Sequence, residues 1–137
     1  YIHKGYWNDK TAWKDDTNDD EGFIVVRYAN GTYSTLTISQ LDGGPKPALM
    51  CITGTEGTYL MDFNGYKIIK SLSGEKITIE GKNMPTDWAA YYKNVSDALM
   101  GEADLIITGE FARRPIHILD LANKSAAQGR ALKATYK

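Results

Sequence analysis

The sequence predicts an α+β fold: a mostly antiparallel open sheet of about six to eight strands, with helices packed on one face. Three observations carry this. Short alternating runs separated by turn dipeptides fill residues 22 to 80. After Pro85 the apolar spacing changes to the i, i+3, i+4, i+7 pattern of a helix. Strands come first and helices afterwards, which is the order of an α+β chain and not of alternating βαβ units.

The opening stretch, YIHKGYWNDKTAWKDDTNDDE, reads as a short strand from Tyr1 to Lys4 and then a long polar loop. Gly22 to Tyr28 sets Phe23, Val25 and Arg27 against Ile24, Val26 and Tyr28, β-branched and aromatic content in a strand-sized run. Asn30-Gly31 signals a two-residue hairpin. Thr32 to Leu41 then places Leu36 and Ile38 on one face and Thr35, Thr37 and Ser39 on the other, so one face is packed and one is more polar. LDGGPKP, residues 41 to 47, is a loop by its glycines and prolines.

Four more strands follow: Ala48 to Thr53, Thr58 to Asp62, Tyr66 to Lys70 and Lys76 to Glu80. The turns Gly54-Thr55-Glu56-Gly57 and Asn64-Gly65 fold them into a meander. Leu60 and Met61 are apolar neighbours that must point to opposite faces, so something outside the sheet has to cover one of them.

Asp87 is placed to cap a helix carrying Trp88, Tyr91, Tyr92, Val95 and Leu99, which Gly101 stops. Thr108 caps a second helix with Phe111, Ile118, Ala122 and Ala126 on one stripe, closed by Gly129. Pro115 lies about two turns in and should remove a backbone bond and bend it. Arg130 to Lys137 can return as a last strand.

The 137 residues are read as a single domain. A net charge of −1 argues against a nucleic-acid partner, and no apolar run approaches the length of a membrane span. Residues 1 to 21 carry aromatics and charges where a secretory segment would be apolar. With Cys51 the sole cysteine, the expectation is a cytoplasmic protein in which that thiol is buried and inert. A start at Tyr1 leads to the expectation of a piece cut from a longer protein, and a processed terminus would look the same.

Enzyme signatures fail one by one. No G-x-G-x-x-G follows a strand, no phosphate-loop lysine occurs, and there is no G-x-S-x-G. His3 and His117 are the only histidines, and His117 reads as a packed or surface residue. The acidic run Asp15, Asp16, Asp19, Asp20, Glu21 fails as a calcium loop, because Glu21 and Arg27 stand where Gly and Glu are needed; it reads as a solvated loop. No catalytic, cofactor-binding or metal-ligating residue is assigned. What remains is Tyr6, Trp7, Asn8, Lys10 and Trp13, aromatic faces beside hydrogen-bonding groups. These suit a sugar or polyol, or simply cover the open end of the sheet. From residue types alone this is a binding or assembly domain.

Two stretches, DEGFIVVRYANGTYSTLTIS and ITGTEGTYLMD, have the order of an acidic residue, a strand, an Asn-Gly hairpin, a Thr-rich strand and a G-T-E-G turn. The ending, DWAAYYKNVSDALMGEADLIITGEFARRPIHILDLANKSAAQGRALK, has an aromatic-rich helix ending in A-L-x-G and a second helix ending in S-A-x-x-G-R. Together, over roughly residues 19 to 133, they resemble the C-terminal domain of the Gfo/Idh/MocA oxidoreductases.

The resemblance implies a parent enzyme whose absent N-terminal Rossmann domain holds NAD or NADP. It also implies a sugar or polyol substrate, and a homo-oligomer built through the open sheet face. This domain would supply the substrate-site wall and the subunit interface, and would not be catalytically competent alone. The family's E-K-P and D-x-x-x-H motifs are missing, so no catalytic residue carries over. The position of the first loops raises Trp7, Asn8, Lys10 and Trp13 as substrate-binding candidates, with Asp42 and Lys46 behind them. The alternatives are a stand-alone carbohydrate-binding or oligomerisation module without activity, and a relative that uses NAD for glycoside cleavage.

Overall fold

A computed structural model describes residues 1–6, 12, 18–44, 46 and 48–135. In chain order its elements are β1 (Ile2–His3), β2 (Glu21–Arg27), β3 (Tyr33–Ser39), β4 (Met50–Thr53), β5 (Thr58–Met61), β6 (Tyr66–Leu72), β7 (Glu75–Gly81), α1 (Trp88–Leu99) and α2 (Gly109–Gln128). This is the α+β chain the pattern predicts. All strand pairings are antiparallel, and the strands hydrogen-bond as two groups, β1-β2-β3 and β4-β5-β6-β7. The chain divides into two compact units, Tyr1–Gly43 with Leu105–Lys137, and Gly44–Asp104.

In the first unit the β2–β3 register runs from Glu21↔Ser39 to Arg27↔Tyr33, which puts Ile24, Val26, Leu36 and Ile38 on one face as the alternation requires. The hairpin differs from expectation at its tip. Tyr28 N–H donates to Thr32 O at 2.9 Å, enclosing residues 29–31, and Gly31 N–H donates to Tyr28 O at 3.0 Å. Gly31 has φ 86° whereas Asn30 stays at negative φ, so the tight I′ turn, which needs two positive φ values, does not form.

α2 begins at Thr108, whose side chain accepts from Phe111 N–H, and continues through Pro115 to Gly129, which closes it at φ 62°. Residues 130–135 do not form the expected last strand. The Arg130 backbone is used in the helix cap: its N–H donates to Ser125 O, and its carbonyl accepts from Ser125 Oγ at 2.7 Å.

In the second unit the β4–β7 register sets Met50, Ile52, Tyr59, Met61, Tyr66, Ile68, Ile77 and Ile79 on one face. Cys51, Thr53, Thr58, Leu60, Lys67, Ile69, Thr78 and Glu80 take the other. Leu60 and Met61 therefore diverge as the sequence required. The β6–β7 turn is the tight one: Ser73 (φ 53°) and Gly74 (φ 84°) join Leu72 to its partner Glu75 in type I′ geometry. α1 is capped by Asp87, whose carboxylate accepts from Ala90 N–H at 3.1 Å.

Among the described residues no hydrophobic side chain is buried, and Asp20, at 2% exposure, is the one fully buried side chain. The expected packed face of β2–β3 leaves Ile38 71% exposed, and the α1 stripe leaves Trp88 75% and Leu99 85% exposed. The secondary structure is formed, but many apolar side chains of the described residues stay exposed. Cys51 departs from expectation for the same reason: it is exposed, on an edge strand and on the threonine-rich face.

Candidate functional site

Three places among the described residues are candidate sites. The first is a polar knot around Asp20, immediately before β2. Its carboxylate Oδ2 accepts the Tyr6 N–H at 2.9 Å and stands 3.5 Å from His3 Nδ1 without a hydrogen bond between them. Its own backbone N–H donates to His3 O at 2.9 Å, and its carbonyl accepts from Gln40 N–H at 2.8 Å. One residue thus fastens β1, the entry of β2 and the exit of β3. Beside it, Lys4 Nζ lies 3.0 Å from Asp19 Oδ1, and Asn123 of α2 reaches Asp19 Oδ2 at 3.5 Å.

The acidic run was expected to be solvated. Asp15 and Asp16 lie outside the described residues, but Asp19 is half-buried and Asp20 buried. A buried carboxylate needs hydrogen-bond donors, and the folding-back of residues 1–6 onto β2 supplies them. Sequence reasoning missed this knot. The register that sets His3 opposite Glu21 would have placed it, but two-residue strands carry too little periodicity to be aligned from sequence.

The second place is a cleft of about 470 Å³ between β2 and α2, lined by Phe23, Ile24, Val26, Ile118, Leu121 and Leu132 among others. It is an interlayer space whose apolar side chains stand beside Tyr1, Arg27 and Ser125. The third, in the other unit, is a cleft of about 240 Å³ bordered by Asp62, Asn64, Tyr66, Lys67 and Glu80. Lys67 Nζ sits 2.7 Å from Glu80 Oε1, and the hydrogen bond with Glu80 raises the lysine pKa. Both side chains are more than half exposed, so solvent screens the pair.

Of the sequence-predicted site residues, Trp7, Asn8, Lys10 and Trp13 lie outside the described residues. The Asp20 knot flanks that stretch, since Tyr6 and Asp20 stand on either side of it in the chain. Asp42 is exposed just after β3, where its N–H and that of Leu41 both donate to Ser39 Oγ at 3.1 Å. Lys46 is exposed and belongs to the other unit.

The glycine-rich turn Gly54 to Gly57 joins β4 to β5, closed by Gly54 N–H to Gly57 O at 2.8 Å, so no helix N-terminus stands behind it to receive a pyrophosphate. No group of three or more His, Cys, Asp or Glu among the described residues could hold a metal ion. No helix among them is long and apolar enough to cross a membrane.

No protein-family model matches the sequence, and no curated protein matches it. The fold is similar to a crystal structure of a candidate oxidoreductase from Klebsiella pneumoniae, with a TM-score of 0.71 and 18% identity. The match covers 91% of this chain and 42% of that one, so the chain spans less than half the length of its structural neighbour.

Proposed function

We propose that this chain is the C-terminal, substrate-side and assembly domain of an NAD(P)-dependent oxidoreductase of the Gfo/Idh/MocA type, acting on a sugar or polyol. The observation that carries the reading is the exposure of large apolar side chains on the described strands and helices. A self-sufficient binding module buries its own core, whereas a domain that works against a second domain and a second subunit does not have to. That observation weighs against a self-contained carbohydrate-binding module; an oligomerisation module would share it, and the two readings part on what precedes Tyr1. The likeness to part of a longer candidate oxidoreductase supports it.

In this reading the chain itself does no redox chemistry. The nicotinamide and the proton-transferring groups belong to a preceding Rossmann domain. Trp7 and Trp13 offer ring faces to the apolar side of a sugar, and Asn8 and Lys10 bond its hydroxyls. Asp42 and Lys46 add polar contacts from the next loop. The sheet faces meet a further copy in a homo-oligomer, and the compartment is cytoplasmic.

The test is the coding sequence that precedes Tyr1. The expected result is an in-frame G-x-G-x-x-G unit after a strand, followed by E-K-P and D-x-x-x-H. A start codon or secretory segment directly before Tyr1 would contradict the proposal.

A further inference from the structure

Two Asn-Gly pairs, Asn30-Gly31 and Asn64-Gly65, share a latent reactivity. Glycine leaves its own nitrogen sterically open to attack the preceding asparagine side chain. The structure builds the two pairs differently. We propose that Asn30 is a site of spontaneous amide-to-acid conversion through a succinimide with Gly31, and that Asn64 is protected from it.

At Asn30 the side-chain oxygen is already activated. Oδ1 accepts two hydrogen bonds from Thr32, from its N–H at 3.1 Å and from its Oγ1 at 2.8 Å. When the Gly31 nitrogen adds to Cγ, this is the oxygen that becomes the oxyanion, so the two donors stand where negative charge develops. The turn is exposed, and nothing lies within 4 Å of where a Gly31 Cβ would stand. The Gly31 N–H is engaged only by the Tyr28 carbonyl at 3.0 Å, one solvent-facing turn bond that opens locally.

Asn64 is exposed as well, but its hydrogen bonding differs. One oxygen of Asp62 accepts both the Asn64 N–H, at 2.7 Å, and the Gly65 N–H, at 3.0 Å. A carboxylate bonded to the Gly65 N–H opposes removal of that proton. A Cβ built on Gly65 would collide with the Gly81 carbonyl oxygen, so this turn is crowded where the Gly31 turn is open.

The step balances without a co-reactant other than water. The Gly31 nitrogen loses its proton to solvent and forms a bond to Asn30 Cγ. The Cγ–Nδ2 bond breaks as that nitrogen takes up a proton from solvent, and it leaves as ammonia. Water then opens the succinimide at either carbonyl, giving aspartate or isoaspartate. Each product carries one more negative charge at the tip of the β2–β3 hairpin.

The experiment is peptide mapping by mass spectrometry of protein held in neutral native buffer, with isoaspartate detected by enzymatic methyl transfer. Asn30 converts severalfold faster than Asn64 in the folded protein, and the two rates converge in concentrated urea. Thr32→Val, which removes one donor, slows Asn30 by about threefold to tenfold and leaves Asn64 unchanged, while Thr32→Ser keeps the original rate. The proposal is overturned if Asn64 converts as fast as Asn30 in the folded protein, if Thr32→Val leaves Asn30 unaffected, or if Thr32→Ser slows it equally.

Discussion

The Asp20 carboxylate accepts the backbone N–H of Tyr6 at 2.9 Å, closing the two ends of the 6–20 segment on each other while His3 faces the same oxygen. Removing a buried acceptor strands its donors, which costs about 1–3 kcal/mol. Asp20→Ala is therefore expected to lower the unfolding free energy obtained from urea titration by that amount, and so to shift the midpoint down, and Asp20→Asn, which keeps an acceptor oxygen, by less. Equal midpoints for Asp20→Ala and the parent would show that the knot does not hold the sheet.

Ser73 occupies the left-handed region at φ 53° so that β6 can turn into β7. Asparagine tolerates that conformation better, and Asn-Gly is the favoured type I′ pair. Ser73→Asn is expected to raise stability by about 0.5–1 kcal/mol, and Ser73→Val to lower it. Thermal unfolding of the two variants checks both signs.

Glu110 lies in the first turn of α2 and accepts from Arg113 Nε and Nη2, both at 3.0 Å. The hydrogen bond from Arg113 holds its carboxyl below the ordinary value of 4.5. A depressed folded-state pKa means a contribution fully present above the unfolded value and lost as pH falls through the folded one. Helix content followed by circular dichroism should thus begin to fall only below about pH 4.5. A carboxyl titration by NMR should show Glu110 returning to the ordinary range in Arg113→Gln. No change on that substitution would mean that the pair is not formed in solution.

If the chain is part of the oxidoreductase proposed above, Trp7→Ala and Lys10→Ala in that longer protein are expected to raise KM several-fold. Losing one good polar or stacking contact is worth about 1 kcal/mol, or roughly fivefold. Unchanged KM values for both would remove these residues from the substrate wall.

How legible all this was in the sequence depends on the length of each signal. The caps Asp87, Thr108 and Gly129 were read directly, because a helix terminus needs a particular residue type at one place. β2, β3 and β5 to β7 were read from alternation. The turns were less legible: Asn30-Gly31 promised a I′ turn, but that geometry went to Ser73-Gly74 instead. Turn dipeptides state what a turn permits, whereas strand register decides which turn is made. The Asp20 knot was illegible, since a buried carboxylate and a solvated one have the same one-letter code. Cys51 was misread because burial was inferred from an apolar run whose strand lies at a sheet edge.

The central claim is that the apolar faces of these elements are interfaces. Ile52, Tyr59, Ile68 and Ile79 form one cross-strand row on the β4–β7 sheet, with Ile52 and Ile79 exposed. Sedimentation equilibrium of residues 1–137 over a wide concentration range tests the claim most directly. The account predicts association into dimers or larger species, burying on the order of 1,000 Å² or more, weakened by Ile68→Glu. A strict monomer at every concentration would contradict it.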